Sequence, residues 1–230
     1  PRVPGLRGAW ACLPAPRHLS RSVAMTKRIP AALAAALGLA LAACDGRSPT
    51  AQRPVDETEL TFVRAAEGTL PLQAQSVSFW AVRGRDREGV LRYVPAPGEE
   101  EGEEFLAFKV PGGSLLRRPD GTPFGAGDSV LVTITVVDPG LFLFEFQPGG
   151  LRFDPRNPAR LKVSYRRADR DYDDDGDEDG ADDDFERELA FWRQERPGQL
   201  WFPVSTLRIE DLEEVEADLT GFTRYAVAGN

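Results

Sequence analysis

Residues 129–137 read Ser-Val-Leu-Val-Thr-Ile-Thr-Val-Val, and no other stretch limits the possible folds as tightly. Val130, Val132, Ile134 and Val136 alternate with Leu131, Thr133, Thr135 and Val137. Alternation at period two sends the two sets to opposite faces of a strand, and β-branched side chains suit the pleated backbone. With both faces largely apolar, the run is predicted as a strand central in a sandwich. Asp138-Pro139-Gly140 supplies a turn, and Leu141-Phe142-Leu143-Phe144-Glu145-Phe146 is too apolar and aromatic to lie in solvent. From Glu59 onward, similar short runs recur about every ten residues between Gly, Pro and Asp turns. They predict strands at 60–65, 77–83, 89–94, 104–110, 129–137, 141–147, 160–165, 187–194, 199–205, 213–219 and 223–228. Helical spacing shows only in 207–217, through Leu207, Ile209, Leu212 and Val215. The stretch 95–104 (Pro-Ala-Pro-Gly-Glu-Glu-Glu-Gly-Glu-Glu) reads as a solvated hairpin loop. The expectation is one all-β domain over 59–230, an antiparallel β-sandwich; uneven strand lengths and two long loops disfavour a barrel.

The amino-terminal part follows a different plan. Lys27 and Arg28 come just after Met25, the only methionine, and lead into an apolar run from Ile29 to Ala43. This is the layout of a secretory signal, and the run is shorter than the ~20 residues of a spanning helix. It ends Leu41-Ala42-Ala43-Cys44 and so resembles the lipobox of bacterial lipoproteins. The resemblance implies cleavage before Cys44, a diacylglyceryl lipid on its thiol and attachment to an envelope membrane. Two or more acyl chains hold a protein stably where one does not. Asp45 follows the anchor, and inner and outer membrane both stay open. Residues 1–24, rich in proline and arginine, are expected to be upstream sequence from a mistaken start, or else a flexible extension. Residues 25–43 are read as the signal, and 44–58, polar and proline-containing, as a flexible tether.

Removing the signal changes what chemistry the chain can attempt. The only histidine, His18, and one of the two cysteines, Cys12, precede Cys44. So do six of the 28 basic residues (Arg2, Arg7, Arg17, Arg21, Lys27 and Arg28), but no acidic one. From Cys44 onward 22 basic residues face 37 acidic ones, a formal charge of −15. Without histidine or a free thiol there is no Ser-His-Asp or Cys-His pair and no Cys/His zinc site. Such acidity opposes nucleic acid, whose affinity comes mostly from neutralised phosphates. No disulfide can form within the mature chain, so a hydrophobic core must carry stability. The chain is read as non-enzymatic, with a carboxylate-based hydrolase the catalytic possibility left open.

Further motifs carry a second resemblance. Val110-Pro111-Gly112-Gly113-Ser114-Leu115 is similar to the "I-P-x-G-A-L" turn of ZU-five-type domains. Pro148-Gly149-Gly150-Leu151-Arg152-Phe153 with Pro158-Ala159-Arg160-Leu161-Lys162-Val163-Ser164-Tyr165 resembles that family's following strand pair. Trp201-Phe202-Pro203-Val204 and Gly221-Phe222-Thr223-Arg224-Tyr225-Ala226-Val227 resemble its last strands. The resemblance spans roughly 105–228 and implies a ZU-five-like β-sandwich acting in scaffolding or interaction. An Ig-like sandwich stays open beside it.

The strongest candidate site is acidic: thirteen of the twenty residues 169–188 are Asp or Glu, so a calcium-loop pattern can also arise there by chance. Calcium loops of the form D-x-D-x-D-G-x5-E offer a hard cation six to eight oxygens, with glycine at the sixth place for the sharp turn. One register gives Asp175, Asp177, Asp179 and Glu186, with the Ala181 carbonyl and Asp183 between them. A second gives Asp171, Asp173, Asp175, Gly176 and Asp182. A solvated acidic loop with no defined site stands beside both. Trp80, Trp192 and Trp201 are expected in the core. Two of them side by side on an exposed face would instead indicate a carbohydrate-binding or cell-wall-associated module. Arg83-Gly84-Arg85-Asp86-Arg87 reads as a charged hairpin turn.

The expected function is therefore a membrane-anchored envelope lipoprotein with a structural or interaction domain that binds calcium. A Cys44→Ala variant is expected to stay soluble after cell fractionation, whereas the parent pellets with membranes. Mass spectrometry of the parent's first residue should show a diacylglyceryl thioether; an unmodified cysteine there removes the anchor.

Overall fold

The computed structural model describes residues 53–138 and 140–230. The expected extension, signal, lipidated Cys44 and first part of the tether lie outside them. Fourteen strands follow in order: β1 (Thr61–Phe62), β2 (Ser76–Val82), β3 (Arg87–Arg92), β4 (Glu104–Val110), β5 (Leu115–Arg117), β6 (Ser129–Asp138) and β7 (Leu143–Gln147) come first. Then come β8 (Arg152–Phe153), β9 (Ala159–Ser164), the short helix α1 (Gly180–Glu186), β10 (Ala190–Gln194), β11 (Phe202–Pro203), β12 (Thr206–Ile209), β13 (Glu214–Leu219) and β14 (Arg224–Gly229). All pairings are antiparallel. One sheet runs β11-β10-β14-β7-β6-β2, with β1 also on β14; the other runs β12-β13-β9-β4-β3; β5 and β8 form a small third pair. The fold is an all-β antiparallel sandwich, as the strand periodicity predicts. Among the described residues no helix is long and apolar enough to cross a membrane.

The inner faces follow from the alternation. Val132, Ile134 and Val136 of β6 join Phe144 and Phe146 of β7 and Tyr225 and Val227 of β14. They meet Leu106, Phe108 and Val110 of β4, Leu161 and Val163 of β9, and Val215 of β13. Aromatic rings fill the gap between the sheets. Phe108 lies 5.2 Å from Phe146 and 5.4 Å from Phe222, centroid to centroid, and Phe153 packs 5.0 Å from Phe222. Tilted and edge-on arrangements at these distances add to the burial itself. A bulge in the β3–β4 register leaves Phe105 unpaired between Glu104 and Leu106 and buried, 5.3 Å from Phe142.

The outer face of the larger sheet carries a second, smaller core. Trp192, Trp201, Leu143, Ala226 and Ala228 are covered by Val55 and Leu60. Val55 and Trp201 exchange both backbone hydrogen bonds, at 3.0 and 2.8 Å. Residues 53–58 are therefore a strap on the domain and not part of a free tether, because Val55 finds an apolar seat there. Both sheets and both cores lie within residues 53–230, so this part carries what folding requires.

Three other expectations change. Residues 207–217 form no α-helix: β12 and β13 pair around a single 3-10 turn, Glu210–Leu212, that ends at Glu213 in a left-handed conformation (φ 51°). Leu207 and Leu212 are exposed, so the apolar spacing there never met a common core face. Strands β5 and β8 were too short to register as periodic. Residues 187–189 belong to the turn after α1, and of 199–205 only Phe202–Pro203 is a strand.

Phe108 is fully buried and touches three other rings. Phe108→Ala should cost about 3–5 kcal/mol, read from the midpoint of urea unfolding at unchanged slope.

Candidate metal centre

Between β9 and β10 the chain runs through the acidic loop and then α1. Asp179 caps the helix, its carboxylate accepting the Ala181 N–H at 2.7 Å. Asp182 reaches back to accept the Asp179 N–H at 2.9 Å. This reciprocal box satisfies donors that a helix start leaves free, and acids in the first turn suit the helix dipole. The cap fixes where the loop ends.

The first half of the loop coils tightly. Asp171 accepts the N–H groups of Asp175 (3.0 Å) and Gly176 (2.9 Å), and Asp175 accepts that of Asp177 (3.2 Å). Two left-handed residues allow the coil: Asp174 at φ 63° and Gly176 at φ 97°. Left-handed backbone suits glycine and, next best, aspartate or asparagine. The result brings carboxylate oxygens of Asp171, Asp173 and Asp175 within 4.8 Å of one another, the one such group of three among the described residues.

Asp182, at the twelfth place counted from Asp171, is buried beneath this loop. Its carboxylate also accepts the Tyr172 N–H at 2.7 Å. The Asp179 and Tyr172 N–H groups hold its carboxyl below the usual carboxylate range, against the cost of burial. Asp173 shifts the other way: desolvation, then the charges of Asp175, Asp182 and Asp171, push it up. Asp182 thus lies close enough to act on Asp173. Three carboxylates share a small space, with Asp182 beneath them held by backbone donors, and a cation placed among the three relieves the repulsion.

The two registers fare differently in space. Asp171, Asp173 and Asp175 of the second come together, with Asp182 close by. The first register is not gathered. Asp177 is exposed, Asp179 is the helix cap, and Ala181 and Asp183 lie within α1. Glu186 turns to the interior, accepting the Tyr165 hydroxyl at 2.9 Å and Arg208 at 3.3 Å. Burial pushes the Tyr165 hydroxyl up to about 12, which keeps it a donor. Phe185 stacks 4.9 Å from Tyr172 and covers Gly229 so closely that a Cβ there would sit 2.4 Å from the ring. Sequence reading missed this anchoring of α1; the Phe185-Glu186 pair at the end of the acidic run was its one signal.

The tryptophans divide. Trp192 and Trp201 are buried as expected, their indole N–H groups reaching the Ala228 carbonyl and Glu57. Trp80 is 58% exposed, contrary to the core expectation, because it points to the outer face of edge strand β2. Among the described residues no second exposed tryptophan joins it in a stacking pair. Comparison with family models, with curated proteins and with solved structures finds no match to this chain.

Asp182 titrates lower in the folded chain than its unfolded value of about 3.9, so the ionised group stabilises the fold above that value. This contribution disappears as pH falls through the folded value. Asp182→Asn should lower the melting temperature at pH 7 and shrink the stability lost on acidification below pH ~4. Equal acid sensitivity in both proteins would exclude the role given to Asp182.

Proposed function

We propose that the chain is an envelope lipoprotein, held by lipid on Cys44, whose β-sandwich binds one calcium ion in the 171–182 loop. The domain serves a structural or interaction role and performs no catalysis. One observation carries the calcium reading: Asp171, Asp173 and Asp175 converge where the loop's own N–H groups brace them. Hard cations of this kind take several carboxylate and carbonyl oxygens in a flexible shell. Asp182 lies at the closing place, and the carbonyl of Asp177 occupies the seventh, the place that contributes a backbone oxygen in such loops. The anchor reading rests on the Leu41–Cys44 motif, and a ZU-five-like role in interaction rests on the turn and strand motifs.

Calorimetric titration of fragment 45–230 should show one site with Kd on the order of 10⁻⁴–10⁻³ M, the range of extracellular modules. Calcium at ten times Kd then adds about 1.4 kcal/mol of stability and raises the melting temperature. Asp171→Asn and Asp173→Asn should abolish the heat. Asp183→Asn and Glu186→Gln should keep the affinity, although Glu186→Gln lowers stability. Absence of both heat and a melting shift at millimolar calcium overturns the site. Loss with Asp183→Asn but not with Asp171→Asn reassigns it to the other register.

A further inference from the structure

We infer that the end of the sandwich opposite the acidic loop docks on an anionic lipid surface. Six cations gather there from separate segments: Arg85 and Arg87 from the β2–β3 hairpin, Lys109 from β4, Arg117 from β5, Arg152 from β8 and Arg156 from the turn before β9. Backbone pairings hold these segments together. Arg87 pairs with Val110 and Arg117 with Arg152, while the Gly84 N–H donates to Gly112 O at 2.6 Å and that of Asp154 to Ser114 O at 2.7 Å. All six cations are exposed, and among the described residues none has a carboxylate within 4.0 Å.

Carboxylates at this end are held by local backbone donors, which fix them in place without removing their charge, and they are fewer than the cations. Asp86 accepts the Gly112 N–H, Asp120 the N–H and hydroxyl of Thr122, and Asp154 the Arg156 N–H. Asp128 accepts the Gly125 N–H and pairs with Arg118. Glu88 lies across the ladder from Lys109, while Asp218 and Glu195 are paired with Arg160 and Arg193. At the acidic end the pattern reverses: Arg64, Arg92, Arg166, Arg167, Arg170 and Arg187 each lie within 4.0 Å of a carboxylate. The six residues of β9, roughly 20 Å of strand, separate the Arg156 turn from the start of the acidic loop. That distance is about twice the screening length at physiological salt, so the net negative charge does not cancel the positive end.

The shape favours a lipid surface over a soluble polyanion. The cations are spread over several turns, where a planar surface reaches them together; an extended strand needs a groove lined with stacking aromatics. At the rim Trp80 stands exposed beside its cross-strand partner Leu131, and Leu116 is exposed next to Arg117. Tryptophan beside basic residues suits the boundary between head groups and acyl chains. The strap also begins on this side: Gln194, at the end of β10, hydrogen-bonds Gln199 near Trp201, and Gly221 bridges Arg152. That a lipid anchor brings this end to the membrane rests on the Cys44 reading; the patch itself does not.

Fragment 45–230, which lacks signal and lipid, should be sedimented with vesicles of phosphatidylcholine alone and of equal parts phosphatidylcholine and phosphatidylglycerol. Binding should be at least about tenfold stronger on the anionic vesicles and fall about tenfold between low and high salt. Tryptophan emission should shift to the blue through Trp80, since Trp192 and Trp201 are already buried. Arg85→Glu with Arg117→Glu should reduce binding about tenfold at an unchanged melting temperature. Arg64→Glu with Arg187→Glu, the same charge change at the other end, should leave it intact. Equal binding to both vesicles, indifference to salt, or equal loss in both variants overturns the proposal. So does binding to heparin with none to vesicles, which assigns the patch to a soluble polyanion. Failure of the anchor shows separately, as an unmodified Cys44 in the full chain.

Discussion

The fold depends on aromatic contact across the gap between two sheets. Phe108 comes from the middle of one sheet and Phe146 from the other, and their rings meet with Phe222 and Phe153 as neighbours. Residues 53–230 contain no cysteine, so this apolar layer must offset the entropy lost in ordering so many short strands. It also sets register. A slip of one residue in β4 would turn Phe108 to the surface and bring Lys109 inside, which the core does not tolerate.

Strong local pattern made the sandwich legible. Val130 to Val136 and the aromatic run after Leu141 mark their strands by alternation alone, and the structure places them adjacent in one sheet. Weaker elements escaped because they are defined by partners and not by their own residues. Strand β8 is two residues long and exists because β5 lies beside it. The helical spacing of 207–217 was real in sequence, but cross-strand pairing with β9 and β12 claimed those residues. Helix α1 was hidden by composition: in so acidic a run, the capping pair Asp179 and Asp182 looks like any other pair of carboxylates. For the same reason the pattern allowed two cation registers, and only backbone geometry separates Asp171–Asp182 from Asp175–Glu186.

Within the acidic loop, carboxylates perform two distinct tasks. Asp179 and Asp182 hold the chain by accepting backbone N–H groups, as ordinary turn and cap residues do. Asp173 is pushed up by local desolvation and by the charges of Asp175, Asp182 and Asp171, which outweigh the Asp175 N–H that supports its ionised form. The same division recurs at the opposite end, where Asp86, Asp120 and Asp154 brace turns and leave neighbouring guanidinium groups unpaired, while Asp128 both braces a turn and pairs with Arg118. Local backbone needs thus decide which charges remain available to a partner. Formal net charge conveys little of this.

The strap bears on mechanics. Val55 and Trp201 hold each other by one reciprocal pair of hydrogen bonds, and β1 adds only two residues against β14. A load applied upstream of Arg53 meets these few bonds in succession, so the strap peels while the broad ladders of β6 and β9 feel little of the pull. Peeling bares Trp192 and Trp201 without unfolding the sandwich. The strap is therefore the segment whose release would expose these two rings while the aromatic layer between the sheets stays covered.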